Sequence, residues 1–196
     1  EKPETFRDNR FNVTFTSPSG NVFNVPGYFA ADGNAANTGA TEGNKWKVSF
    51  TPTETGTWNY TTSFRTGTNV ALSLLATSGT PVTPLDSKSG TFSIAASDKT
   101  GKDFRGKGKL QYVDKTFLQF SNGEYYYKVG ADSPEVYLEA IDFDNTYAPT
   151  RTYSTHVADW VTGDPVWKTS KGKGLIGVVN YLSSLDQGVH YFMVNN

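Results

Sequence analysis

Residues 125–138, YYYKVGADSPEVYL, bring the chain's most chemically loaded turn against one of its most aromatic runs. Three tyrosines and Val129 read as a strand, Gly130 to Pro134 break it, and Glu135 to Leu138 begin a helical pattern. The break presents Asp132, Ser133 and Glu135, two carboxylates and a hydroxyl that can exchange hydrogen bonds with ligand hydroxyls. The same groups serve an ordinary structural purpose. Asp132 or Ser133 can cap a helix starting at Glu135, and Pro134 suits its first position. The residues alone leave both readings open.

Two carboxylates at a defined separation would support acid–base cleavage of a glycosidic bond. Asp132 with Glu135, and Asp142 with Asp144, are near in sequence, but proximity along the chain supplies no such geometry. Neither is assigned as a catalytic pair, and no catalytic residue is assigned. DFDN (142–145) spaces two carboxylates and an amide as some calcium loops do, yet lacks the closing glutamate and remaining ligands, so it reads as a turn. The two histidines, His156 in STHVADW and His190 in VHYFMV, form no metal motif, and with no cysteine the chain has no thiolate chemistry and no disulfide. No metal and no cofactor are expected. Lys99, Lys102, Arg105, Lys107 and Lys109, with Lys168, Lys171 and Lys173, could attract an anionic polysaccharide or simply be solvated.

The elements that must position these groups differ between the two halves. In the first, RFNVTFTS, NVFNV, KWKVSF, TWNYTTSF, NVALSLL and GTFSIA are short runs with one apolar face, separated by turns such as SPSG. They predict two antiparallel sheets packed face to face, an immunoglobulin-like β-sandwich over residues 1–97. Trp46, Val48, Phe50, Trp58, Phe11, Phe15 and Phe64 are its expected core, and 30–44 an exposed loop. Both tryptophans on one exposed flat face would instead make a sugar-stacking platform.

In the second half, SNGE predicts a tight hairpin turn between FLQF and YYYKV, and Asp114–Lys115 a second turn. GLIGVVNYLSSLDQG predicts a helix over 175–187 with Leu175, Val179, Leu182 and Leu185 in its apolar stripe, stopped by Gly188. VHYFMV, at 189–194, reads as a strand buried on both faces. Strand 125–129, helix 175–187 and strand 189–194 thus form an expected βαβ unit, with strand 189–194 paired or packed against further polypeptide.

At 196 residues the chain can bury a real core, and 13 Phe, 11 Tyr, 4 Trp and 19 Gly suit a β-rich protein. A formal net charge of −1 speaks against a nucleic-acid binder, and no apolar run approaches a membrane span. The opening EKPETFRDNR has the look of a processed start. With the absence of cysteine, it fits a secreted, periplasmic or cell-surface bacterial protein.

FNVTFTSPSGNVFNVPGYFAADG and GNKWKVSFTPTETGTWNYTTSFRTG, followed by GKDFRGKGKLQYVDKTFLQFSNGEYYYKVGADSPEVYLEAIDFDNTY, HVADWVTGDPVWKTSKGKGLIGVVNYL and VHYFMVNN, resemble bacterial multidomain glycoside hydrolases. Those enzymes carry an N-terminal immunoglobulin-like domain of unknown function before a (β/α)8 barrel. The resemblance implies that residues 98–196 are the N-terminal portion of the barrel, an incomplete one. It also implies that the catalytic carboxylates, after the family's fourth and seventh strands, lie beyond this chain. In such a barrel GADSPE would face the sugar site. The implied substrate contacts are Asp132, Ser133, Glu135, His156, Trp160, Asn195 and Asn196, and the implied partners a polysaccharide or oligosaccharide and the remainder of the barrel or another polypeptide. A non-catalytic carbohydrate-binding or structural assembly module is the alternative.

Overall fold

A computed structural model describes residues 3–101, 103–127, 139–143 and 151–185. Two compact units divide the chain: Glu1–Ala35 with Ala40–Gln111 and Phe120–Glu124, and Ala36–Gly39 with Tyr112–Gln119 and Tyr125–Asn196.

The first unit opens with a short helix, α1 (Pro3–Arg7), and then strands β1 (Asn9–Thr16), β2 (Val22–Pro26) and β3 (Tyr28–Phe29). The loop expected over 30–44 contains one helical turn, α2 (Ala35–Thr38). Strands β4 (Trp46–Lys47), β5 (Gly56–Thr66), β6 (Thr80–Pro81) and β7 (Ser89–Ile94) follow. The main sheet is antiparallel, in the order β2-β1-β5-β6, with β7 also on β5. β5 is the longest strand because it serves three neighbours: β1 along 59–66, β7 along 56–61 and β6 at 65–66.

Register explains the core. Phe11 faces Phe64 and Phe15 faces Tyr60 across β1–β5, Phe23 faces Phe15 across β1–β2, and Phe92 faces Trp58 across β5–β7. Directly opposed residues project to the same side, so one sheet face becomes mostly apolar, with Thr62 opposite Val13 as an exception. Trp58 is fully buried, Val13, Phe15 and Phe64 nearly so, and Val48 and Phe50 pack onto them from the facing layer. Trp46, half-buried, rests on Phe64 with ring centroids 5.1 Å apart. The unit is therefore sandwich-like, with the expected aromatics inside.

The facing layer is thinner than expected. β3 pairs only with β4, and residues 48–50 pack without a strand ladder. NVALSLL is not a strand either. Val70–Leu72 form a 3-10 turn, and the segment after it is held by arginines. Arg10 donates from Nη1 to the carbonyls of Ser73 (2.8 Å) and Val70 (3.3 Å), and from Nη2 to Ala76 (2.8 Å) and Leu75 (3.1 Å). Arg65 Nη1 donates to the carbonyls of Thr77 and Gly79, both at 2.9 Å. Carbonyls satisfied by guanidinium groups need no strand partner. Leu72, Leu74 and Leu75 consequently point outward, Leu74 without any cover.

Beyond β7 come β8 (Leu110–Gln111), β9 (Leu118–Phe120) and β10 (Tyr125–Tyr126). Gln119 pairs with Tyr125 and Leu118 with Tyr126, so the Asn122-Gly123 turn makes the hairpin that its sequence predicts. This pairing is antiparallel, and among the described residues no parallel strand ladder occurs, only an isolated parallel bridge between Ala140 and Arg151. The barrel portion of the expected fold is not supported. Residues 128–138, the whole of GADSPE among them, lie outside the described residues, as does the expected strand 189–194.

The expected helix is α3 (Lys173–Ser184). Its buried face is Gly174, Leu175, Gly177 and Val178 rather than the stripe Leu175, Val179, Leu182 and Leu185, for Leu185 is half exposed. The two glycines explain the shift. A Cβ on Gly177 would lie 1.8 Å from the carbonyl oxygen of His156, and one on Gly174 2.7 Å from that of Tyr153. Only glycine lets this helix touch the backbone of residues 153–156.

Candidate functional site

Seven residues are expected to contact substrate, and Asp132, Ser133, Glu135, Asn195 and Asn196 lie outside the described residues. His156 and Trp160 lie within them, on one short piece of the second unit. Ser154–Asp159 wind as a 3-10 helix against α3, and Trp160 ends it in an extended conformation. Three residues make one turn of such a helix, so positions 156 and 159 stand one above the other. His156 Nδ1 accordingly meets Asp159 Oδ2 at 2.9 Å. The imidazole is also tilted against the Tyr181 ring, centroids 4.8 Å apart. Carboxylate and ring together fix its orientation and leave Nε2 as the nitrogen directed to other partners.

Trp160 is not a bare stacking platform. Lys173 Nζ stands 4.3 Å from its ring centroid, a cation–π contact on one face. Its indole N–H is buried without a hydrogen-bond partner among the described residues. Asp164 secures the segment beyond it, accepting from the Val161 N–H at 2.9 Å and from Asn180 Nδ2 at 2.7 Å. Those two bonds, the backbone one foremost, hold its carboxyl below the usual range. Asn180 Nδ2 also donates to the Asp159 carbonyl at 2.9 Å, tying α3 to the 3-10 turn. Asp159, Asp164, Asn180 and Tyr181 are the residues missed in the sequence, and Lys173 figures there only as a polysaccharide-attracting or solvated cation. Only the His156–Asp159 spacing carried a legible signal.

Asp142, weighed as half of a carboxylate pair and as a calcium ligand, is committed to structure. Its Oδ2 accepts from the Gly172 N–H at 2.7 Å, just ahead of α3, and its carbonyl accepts from Trp167 Nε1 at 2.9 Å. Trp167 in turn stacks on Phe143, 5.3 Å between centroids and 10° from parallel. Asp144 lies outside the described residues. Among the described residues no group of three or more His, Asp or Glu side chains could hold a metal ion. None of their helices is long and apolar enough to cross a membrane.

The first unit offers no tryptophan platform, because Trp58 is buried and Trp46 is packed on Phe64. The outer face of its main sheet carries Asn12, Thr14, Asn24, Asn59, Thr61 and Ser93 instead. Three of the basic residues around position 105 have a nearby carboxylate: Lys99 with Asp98, Arg105 with Asp103, and Lys107 with Glu124.

Residues 1–65 match a family described as a domain of unknown function (DUF5060). The matched stretch ends within β5. No curated protein matches the chain, and no solved structure does.

Proposed function

We propose that this chain is part of a secreted bacterial glycoside hydrolase that degrades a polysaccharide. In this reading residues 1–97 are an accessory immunoglobulin-like sandwich and residues 98–196 the first part of a (β/α)8 barrel. The catalytic carboxylates are supplied by further polypeptide. The observation that carries the reading is that the second unit carries an oriented imidazole on one short 3-10 helix and a half-buried indole at its C-terminal cap, both backed by α3. A hydrogen-bonding ring and an aromatic surface on one short segment suit recognition of a sugar, since a pyranose offers hydroxyls at its edge and C–H groups on its face. The sequence resemblance and the sandwich-like first unit support the same assignment. His156 and Trp160 then contact sugar, and Asp132, Ser133, Glu135, Asn195 and Asn196 are the other proposed contacts.

The test compares the 196-residue chain with the product of the longer gene on a panel of polysaccharides, scoring new reducing ends. Activity only in the longer product is expected. Turnover by the 196-residue chain itself would refute the missing catalytic pair, and inactivity of both would refute the hydrolase reading.

The alternative, a structural or assembly module, is favoured by the outward leucines at 72, 74 and 75. An apolar tip held by two arginines is a contact surface in such a module. Sedimentation of the wild type and Leu74→Ser over a concentration series separates them, because self-association lost in the variant would favour assembly.

A further inference from the structure

At one end of the first unit an open cleft of about 440 Å³ lies among residues 52–55, 94–97, 105–108 and 121–122. We propose that it binds a carboxylate-bearing saccharide, a uronate unit of an acidic polysaccharide, with the Arg105 guanidinium receiving the carboxylate.

The volume lies in the range of small-ligand sites, roughly 300–1,000 Å³. Pro52, Ile94, Ala95 and Ala96 give it an apolar wall of the kind a pyranose ring's C–H face covers. Its cations are Arg105 and Lys107, and each is held from behind by a carboxylate outside the lining. Asp103 takes one edge of the guanidinium, with Nε to Oδ1 at 2.9 Å and Nη2 to Oδ2 at 2.6 Å. That grip uses the Nε/Nη2 edge and leaves the Nη1/Nη2 edge, a second fork of the geometry that takes a carboxylate in two parallel hydrogen bonds. Lys107 Nζ is fixed by Glu124 Oε2 at 2.7 Å and stands 5.6 and 5.7 Å from the ring centroids of Phe104 and Phe120. It keeps two further N–H donors.

Glu54 is the only carboxylate among the described lining residues, and it is turned to other partners. It accepts from Ser19 Oγ at 2.7 Å, from the Ser19 N–H at 3.1 Å and from Asn21 Nδ2 at 3.3 Å. The cleft thus presents donors and positive charge, with its balancing negative charge behind or engaged. An acceptor-rich, singly charged sugar fits that polarity better than a neutral one. Pre-held cations also lose little freedom on binding. The saccharide half of the proposal rests on the polysaccharide reading above, and the carboxylate half on the cleft.

The experiment is titration of the ¹⁵N-labelled 196-residue chain with trigalacturonate, with cellotriose and with inorganic sulfate, followed by amide spectra. Trigalacturonate is expected to shift amides of residues 94–97, 105–108 and 121–122, and to weaken at about 0.5 M NaCl. Arg105→Gln should bind it at least about tenfold more weakly, and Arg105→Lys should fall between, having charge without the fork. Unchanged spectra away from the cleft will show that the variants fold. Equal binding of cellotriose with no effect of Arg105→Gln would overturn the carboxylate role. Sulfate binding as well as trigalacturonate would reduce the cleft to an unselective cation patch, and silence with every probe would remove it. Trigalacturonate binding alongside an inactive longer gene product would discard only the hydrolase reading. Silence here with an active one would discard only the cleft.

Discussion

Phe15 and Phe50 lie face to face, their ring centroids 4.3 Å apart and their planes 6° from parallel. Phe15 belongs to β1, whereas Phe50 sits in a segment with no strand partner, so this contact joins the two layers by side chains alone. Phe50 also touches Phe23 and Trp58, at 5.6 and 5.3 Å between centroids. Phe50→Ala should therefore cost about 2–4 kcal/mol, somewhat less than a fully buried phenylalanine because Phe50 retains some exposure. Urea unfolding followed by tryptophan fluorescence measures this, and a loss below about 1 kcal/mol would mean the facing layer contributes little.

Gly177→Ala sets two effects of opposite sign against each other. Alanine is better than glycine inside a helix by about 1 kcal/mol. The new Cβ, however, would meet the His156 carbonyl oxygen at 1.8 Å, and backbone cannot swing away as a side chain can. Overpacking of this kind costs about 1–3 kcal/mol, so net destabilisation is expected. Amide exchange in α3 should accelerate. Slower exchange would show that helix propensity wins.

Asp103 carries a pH signature. Its hydrogen bonds with Arg105 pull its pKa down to about 2 from an ordinary value near 4. A depressed folded-state pKa contributes stability above the unfolded value that is lost as pH falls through the folded one. The order of the 103–106 turn should thus hold above about pH 4 and fade toward about pH 2. Carboxyl ¹³C titration should place the Asp103 midpoint near the lower value, and Arg105→Gln should raise it. An unchanged midpoint in that variant would deny the pairing.

Arg10→Ala should free the leucine loop without unfolding the sheet. The four carbonyls at 70, 73, 75 and 76 lose the donors that replace a strand ladder. Chymotrypsin should then cut between residues 72 and 76 at least about tenfold faster, with the thermal transition of the core little changed. Cleavage at the wild-type rate would show that Arg65 alone holds the loop.

Sequence reading succeeded where one local rule governed. β1, β5 and β7 follow strict alternation, and Asn122-Gly123 closes its hairpin by turn chemistry. It failed where a distant partner or a glycine decided. Nothing in NVALSLL says that Arg10, 60 residues upstream of Val70, will bind its carbonyls. Counting apolar residues over the expected helix 175–187 likewise favours Leu182 and Leu185, though close approach at Gly174 and Gly177 makes the glycine face of α3 the buried one. Of the site, the His156–Asp159 contact could have been read from its three-residue spacing, though it was not. The Asn180–Asp164 bond could not, because it joins separate segments.

The place of β5 in its sheet bears on how the protein is made. β1 and β2 can pair as soon as both exist, but β1's other edge waits for β5, about 40 residues later. At ribosomal speeds of about 5–20 residues per second, that delay is about 2–8 s. Throughout it, Val13 and Phe15 lie on a half-built sheet with no Trp58 over them. β7 arrives later still. Nascent chains whose emerged portion ends between residues 30 and 55 should be the ones that chaperones hold, and the grip should relax once β5 clears the exit tunnel.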